Sequence, residues 1–305
     1  MNSNTDGLIL LHKPPGLTSF DTLRDIKRVL GTGKVGHTGT LDKFAEGLLL
    51  VLAGRALKLS QWFTHCDKQY EGTICFGAET ETLDPEGAVI ASAPVPSREA
   101  VEKAIPQFLG KIEQAPPAYS AIHIDGRRAS ELARSGESPE MRKRPVTIFR
   151  LELLSWEPPY AKIFVHCSSG TYIRSLARDI ALAAGSRAHL TALLRTQVGG
   201  FNLQLAMSNE QLAMRNEELG IRNKEFPLLH PIDKNVFNSL GIPCFEVAPP
   251  DTAKIIQGKP LAQILKDVPL PTGENAAALF SDGKFIAIIE GHDNKWSYGY
   301  VYARD

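Results

Sequence analysis

Gly36-His37-Thr38-Gly39-Thr40-Leu41-Asp42-Lys43-Phe44-Ala45-Glu46-Gly47-Leu48-Leu49 sets one carboxylate, Asp42, among glycines and threonines just before an apolar run that continues through Leu50-Val51-Leu52. The glycines let the backbone turn sharply and let a ligand come close, while the apolar run anchors the loop in a core. A reactive side chain on a rigid base is the expectation, and Asp42 is the leading candidate for chemistry. A lone aspartate in such a loop is also an ordinary turn or capping residue, so other segments must supply partners.

Outward from this loop, Leu8-Ile9-Leu10-Leu11 reads as a short buried strand ended by the turn residues His12-Lys13-Pro14-Pro15-Gly16. A helix should follow, capped by Thr18 or Ser19, with Phe20, Leu23, Ile26 and Leu30 as its apolar stripe and Gly31 at its end. Tyr70 to Phe76 has strand character. Ser97 should cap an amphipathic helix to Leu109 that turns Val101, Ile105 and Phe108 inward, against the disfavour of Pro106. Ile163 to Cys167 is a strand, followed through Ser168-Ser169-Gly170 by a helix from about Thr171 to Ala184. These intermixed elements predict an α+β fold, a mixed and largely antiparallel sheet with flanking helices.

Residues 208 to 228 hold a sevenfold near-repeat whose apolar positions do not make a coiled-coil seam, so a solvated insertion is expected there. It marks the approach to a second domain, with a boundary near 235: 1–235 as the main domain and 236–305 as the smaller one. From Ile242 the pattern is mostly β, with a hairpin across Ser281-Asp282-Gly283 and a last strand from Trp296 to Tyr302. A small C-terminal β-barrel is expected. Strict alternation would put Trp296, Tyr298, Tyr300 and Tyr302 on one face, either filling that barrel's core or stacking on bases.

The chain has 305 residues, 43% of them hydrophobic, enough for a large core. No apolar run approaches the ~18–20 residues of a membrane span, and the amino end lacks a signal peptide's pattern, so a cytoplasmic, membrane-free protein is expected. Cys66, Cys75, Cys167 and Cys244 are widely separated, which suits free thiols and offers no metal-binding pair. The formal net charge is zero, which argues against indiscriminate nucleic-acid binding. Basic residues nevertheless cluster at Arg127-Arg128, Arg142-Lys143-Arg144 and Arg174/Arg178/Arg187, leaving room for a polarised surface.

Arg174 lies near the start of its helix, where the dipole does not favour a cation, and this asks for an anionic partner. A pair with Asp42 would keep the carboxylate ionised and aimed; an exposed arginine face shared with Arg178 is the competing reading. Tyr70 could stack on a flipped base and exchange a hydrogen bond through its hydroxyl, or simply fill the core. His37 is either exposed in its loop or able to stack where a nucleotide has left. No second carboxylate is evident beside Asp42, which disfavours a glycosidase.

Five segments occur in the same order as in the pseudouridine synthases that modify the T-arm loop of transfer RNA. They are the Asp42 loop, Lys68-Gln69-Tyr70-Glu71, Gly77 to Gly87, Gln114-Ala115-Pro116-Pro117-Ala118-Tyr119-Ser120-Ala121, and Gly170-Thr171-Tyr172-Ile173-Arg174. Lys13-Pro14-Pro15-Gly16 also resembles that family's amino-terminal Lys-Pro-x-Gly element. The resemblance covers about Leu8 to Phe201, and the C-terminal part is loosely similar to the PUA-like RNA-binding module of many members.

What the resemblance implies is a pseudouridine synthase fold and the isomerisation of uridine 55 in the T-arm loop of tRNA. It implies no cofactor, no obligatory protein partner and a monomer. Asp42 would be the catalytic carboxylate, acting as nucleophile or base. Tyr70 would stack on the base, Arg174 would pair with Asp42, Tyr172 and Leu193 would wall the pocket, His37 would help extrude the nucleotide, and Lys13 would join the substrate-binding set. The chain departs from the pattern at Lys43, where the family usually has Pro, at Ser169, where it usually has Lys, and at Leu194, where Leu193-Leu194-Arg195 replaces Leu-Arg-Arg.

Overall fold

The computed structural model describes residues 5–137, 140–208, 211, 229–265, 268–271, 273 and 275–302. The near-repeat of 208–228 lies almost wholly outside them. Among the described residues, ten strands form one mixed sheet. Its main path runs Met207–Ser208, Gly7–Lys13, Glu46–Ala53, Ala188–Val198, Lys68–Phe76, Tyr160–Cys167, Arg144–Glu157 and Gly110–Gln114. Val35–His37 and Phe201–Asn202 pair to its side. Pairing is antiparallel except where Met207–Ser208 meets the first strand and where Ala188–Val198 meets Glu46–Ala53. That second exception is the seam where the site forms.

Strand Lys68–Phe76 alternates buried and half-buried residues along its whole length, as period-two geometry requires of a sheet with one packed face. Its inward set, Tyr70, Ile74 and Phe76, joins Ile163, Val165, Leu176, Ile180 and Leu190 in one core under helix Ile173–Ala183. The Asp42 loop enters this core through Leu41 and Ala45. A second cluster lies beneath helix Ser19–Leu30, which begins at the Thr18 cap and stops at Gly31 in the left-handed region, as expected. Phe20 departs from the expected stripe: it is 69% exposed, with the Lys27 ammonium 4.8 Å from its ring centroid. Ser19 takes the buried place because its hydroxyl serves the Asp42 loop.

The Ser97-capped helix covers Arg98–Ala104 and passes at Pro106 into a 3-10 turn, Ile105–Phe108, because proline withholds the N–H that the α-helix needs. After residue 235 the chain forms a four-stranded sheet in the order Cys244–Glu246, Ala276–Ser281, Lys284–His292, Lys295–Val301. The described strands form an open row, where a closed barrel was expected. A bulge between Ile288 and Ile289, opposite Tyr300 and Tyr298, breaks the strict alternation expected for the aromatic residues. Trp296 and Tyr298 therefore pack on one side with Ile255 and Ile289, and Tyr300 and Tyr302 on the other with Phe237, Phe280 and Phe285. All four are half-buried and pack against the edges of these clusters.

The two sheets are joined through that second side. Leu8, Leu48, Leu50, Leu59 and Phe63 of the large sheet region share one apolar cluster with Phe237, Phe280, Phe285 and Ile288. Arg55 reinforces the junction, pairing with Asp6 and lying over the Tyr302 ring at 4.6 Å.

Candidate active site

The loop carrying Asp42 is held from three directions. Ser19 Oγ donates to the Leu41 carbonyl at 3.0 Å and accepts from the Leu41 N–H at 2.9 Å. Lys13 Nζ donates to the carbonyls of Pro14 at 2.9 Å, Leu17 at 2.7 Å and Lys43 at 3.4 Å. Arg195, 2% exposed, donates from Nε to the Leu48 carbonyl at 2.7 Å and from its terminal nitrogens to Gly39 at 3.2 Å and Thr40 at 3.4 Å. Gly47 makes this grip possible: φ is +115° there, and a Cβ would stand 2.3 Å from the Arg195 carbonyl oxygen. The loop is thus a rigid ledge.

On it, Asp42 meets Arg174 at two points, Oδ2 to Nε at 2.9 Å and Oδ1 to Nη2 at 3.0 Å. The Nε contact lies off the N–H direction, since Nε makes no hydrogen bond, and counts as an ion pair only. Arg174 is 4% exposed and also donates to the carbonyls of Thr82 at 2.8 Å and Tyr119 at 3.0 Å. Its Nη1 lies 3.2 Å from Asp84 Oδ2. One guanidinium therefore sits between two carboxylates. Asp42 keeps 35% of its side-chain surface open, whereas Asp84 is buried and accepts from the Thr82 hydroxyl at 2.5 Å and the Glu86 N–H at 3.0 Å. Arg178 instead pairs with its neighbour Asp179 at 2.8 Å, so the ion-pair reading of Arg174 holds and a shared exposed face does not.

Asp42 opens into a cavity of about 440 Å³ whose walls include Tyr70, Tyr172, Leu193, Lys68 and Ser120. Burial pushes the Asp42 carboxyl above the usual carboxylate range, Arg174 pulls it down and Asp84 adds to the rise. The Tyr70 hydroxyl is pushed up to about 12 by burial, against the nearby Arg195, so it is a neutral donor at physiological pH. Tyr172 caps the start of helix Ile173–Ala183, and its backbone is fixed by Gln114, which accepts from its N–H at 2.8 Å and donates to its carbonyl at 3.1 Å.

Of the residues singled out from the sequence, Asp42, Tyr70, Tyr172, Arg174 and Leu193 converge on this cavity. Two do not line it. Lys13 is 0% exposed and spends its ammonium on the three carbonyls beneath the loop, a correction to its placement among substrate contacts. His37 ends the short strand Val35–His37, paired with Val51, half-buried one residue before the lining begins. Asp84, Arg195 and Lys68 were not assigned roles from sequence. Asp84 was readable only as turn chemistry within Thr82-Leu83-Asp84-Pro85, and the expectation that Asp42 has no carboxylate near it is corrected by it. Asp84 does not line the cavity, so the two carboxylates do not flank one bond.

Residues 27–173 match the family described as TruB family pseudouridylate synthase, N terminal domain. The chain is 44% identical over 202 residues to the tRNA pseudouridine synthase B of Borreliella burgdorferi (strain ZS7), covering 65% of this chain and 72% of that protein. With the tRNA pseudouridine synthase B of Azoarcus sp. (strain BH72) it shares 40% identity over 286 residues, 93% of this chain and 91% of the other. Among solved structures, a chain of a Cbf5-Nop10-Gar1 complex superposes with a TM-score of 0.73 at 23% identity, covering 98% of this chain and 85% of that one. A chain of an H/ACA RNP bound to a substrate RNA containing 2′-deoxyuridine gives 0.71 at 21%, covering 100% and 92%. At these identities the two structures speak for the fold.

Proposed function

The chain belongs to the TruB family of pseudouridylate synthases, and from that premise we propose that it isomerises uridine 55 in the T-arm loop of tRNA to pseudouridine. The C1′–N1 bond of the nucleotide breaks, the uracil turns within the cavity, and a C1′–C5 bond forms. The C5 proton leaves and N1 ends protonated, so the reaction balances without oxidant, reductant or cofactor. The target base has to leave its stack to reach a carboxylate at the base of a cavity, and flipping is the route.

The observation that carries this reading is the two-point hold of Arg174 on a carboxylate that still faces the cavity. It aims Asp42 while leaving it free to act as nucleophile or base. Tyr70 and Leu193 offer the faces that would hold the turning uracil, and Tyr172 closes the wall. His37, one residue outside the cavity lining, would help extrude the nucleotide. We assign residues 1–235 to catalysis and 236–305 to RNA binding in a PUA-like role, in a chain that acts as a monomer without a protein partner. The test is incubation of the purified protein with unmodified tRNA, followed by chemical mapping of pseudouridine as stops to reverse transcription. A single new stop at position 55 is the expected result; its absence would reject the assignment.

A further inference from the structure

Lys43 follows Asp42 in the chain, and its ammonium lies 3.4 Å from Glu86 Oε1. Glu86 in turn donates its backbone N–H to Asp84 Oδ1 at 3.0 Å, and Asp84 Oδ2 lies 3.2 Å from Arg174 Nη1. Arg174 closes on Asp42. With the chain bond from Asp42 to Lys43, the contacts close a ring, Asp42–Lys43–Glu86–Asp84–Arg174–Asp42, in which an exposed link joins two loops that the buried arginine also connects. We propose that the Lys43–Glu86 pair is a positioning device for the reaction, fixing the 80–87 loop against the Asp42 loop so that Arg174 holds Asp42 in its reactive orientation.

Several features favour this over a role for Lys43 in gripping RNA phosphate. The backbone of Lys43 is already fixed, its carbonyl accepting from Gly16 N–H at 2.7 Å and from Lys13 Nζ at 3.4 Å. Leu83 adopts a positive φ of 61° in the partner loop, a conformation that costs a β-bearing residue energy and persists only where neighbours enforce it. The turn is held from the core by the Leu190 N–H on the Leu83 carbonyl at 3.1 Å and by Arg174 on the Thr82 carbonyl at 2.8 Å, and Lys43 adds a contact from the catalytic loop. An exposed pair of this kind adds little to global stability, but misplacing a reacting group by a fraction of an ångström is felt in rate.

The proposal rests on the activity proposed above, and the test separates the two. Lys43→Glu, Glu86→Lys and the doubly reversed protein are compared with the unaltered chain on a T-arm stem-loop, with single-turnover rate at saturating RNA and binding constant measured separately across a salt series. Each single reversal is expected to slow the rate roughly tenfold with affinity changed by less than about threefold. The double reversal should recover most of the rate. Effects that simply multiply, with no recovery in the double variant, would overturn the proposal. So would an unchanged saturating rate with weaker binding and a shallower salt slope, which is the signature of a phosphate contact. No conversion by the unaltered chain would reject the activity itself, and this inference with it.

Discussion

Asp84 Oδ2 stands 3.2 Å from Arg174 Nη1 in a contact buried on both sides, with side-chain exposures of 8% and 5%. Arg174 is therefore neutralised twice, once by a carboxylate that faces the cavity and once by one that does not. The inner one anchors the arginine, and the outer one is left to the chemistry.

Asp84→Ala should accordingly damage both fold and rate. Asp42 still pairs the guanidinium charge, but Arg174 Nη1, the Thr82 hydroxyl and the Glu86 N–H lose a buried acceptor, and a loss on the order of 1–3 kcal/mol is expected. Displacement of Arg174 should lower the single-turnover rate by about 10- to 100-fold. Asp84→Asn keeps acceptors for Thr82 and Glu86 and should cost less in stability. Denaturant unfolding alongside single-turnover assays checks this; a rate unchanged in Asp84→Ala would show that Arg174 needs no second anchor.

The shared apolar cluster makes the C-terminal sheet part of the fold's stability. Removal of the chain from Ile242 onward would expose Leu8, Leu50 and Phe63 on one side and strip Arg55 of the Tyr302 ring. We expect the truncated protein to melt at much lower temperature or aggregate. In the full chain, Phe280→Ala should cost about 3–5 kcal/mol. A truncated protein that melts like the full chain would refute this.

The pH dependence has two parts with opposite signs. Asp42 titrates above an ordinary carboxylate in the folded chain, so the rate should rise with pH through that raised value. Its protonated form is the one the fold prefers. From the unfolded value, about 3.9, up through the raised folded one, Asp42 thus makes stability fall as pH rises. Lys13 and Lys68 are both brought down to about 8 by burial. Between that value and 10.5 the unfolded chain binds more protons, so both lysines make stability rise with pH across the same interval. Buried thiols oppose this in the net profile, Cys167 being pushed up to about 12, so the test is a difference: from pH 7.5 to 10 the gap in melting temperature between the unaltered chain and Lys68→Met should widen in favour of the unaltered chain, and a gap constant in pH would contradict the placement of the Lys68 ammonium.

Much of this was legible in the residues themselves. Thr18 and Gly31 bound a helix because their side-chain and backbone chemistry is local, and the Asp42 loop announced itself by glycine spacing. Arg174 showed as a cation at an unfavourable helix end. What stayed hidden depends on contacts distant in sequence. Lys13 reads as a substrate contact until the Lys43 carbonyl is brought to it, Arg195 has no evident task until the carbonyls of residues 39–48 arrive, and Asp84 reads as a turn former until Arg174 arrives from 90 residues away. The Tyr298–Tyr300 face change came from a bulge, which strict alternation does not foresee, and Phe20 was displaced by a serine whose hydroxyl had a distant task.

Asp42→Asn tests the central claim most directly. Asparagine is nearly isosteric, and Asp84 keeps the charge of Arg174 paired, so folding and RNA affinity should stay close to those of the unaltered chain. The neutral amide is a poor nucleophile and base. Single-turnover conversion of a T-arm stem-loop at saturating RNA, with binding and melting measured in parallel, should therefore show intact binding and no detectable pseudouridine. Substantial conversion by the folded, RNA-bound variant would remove Asp42 from the chemistry and contradict the account.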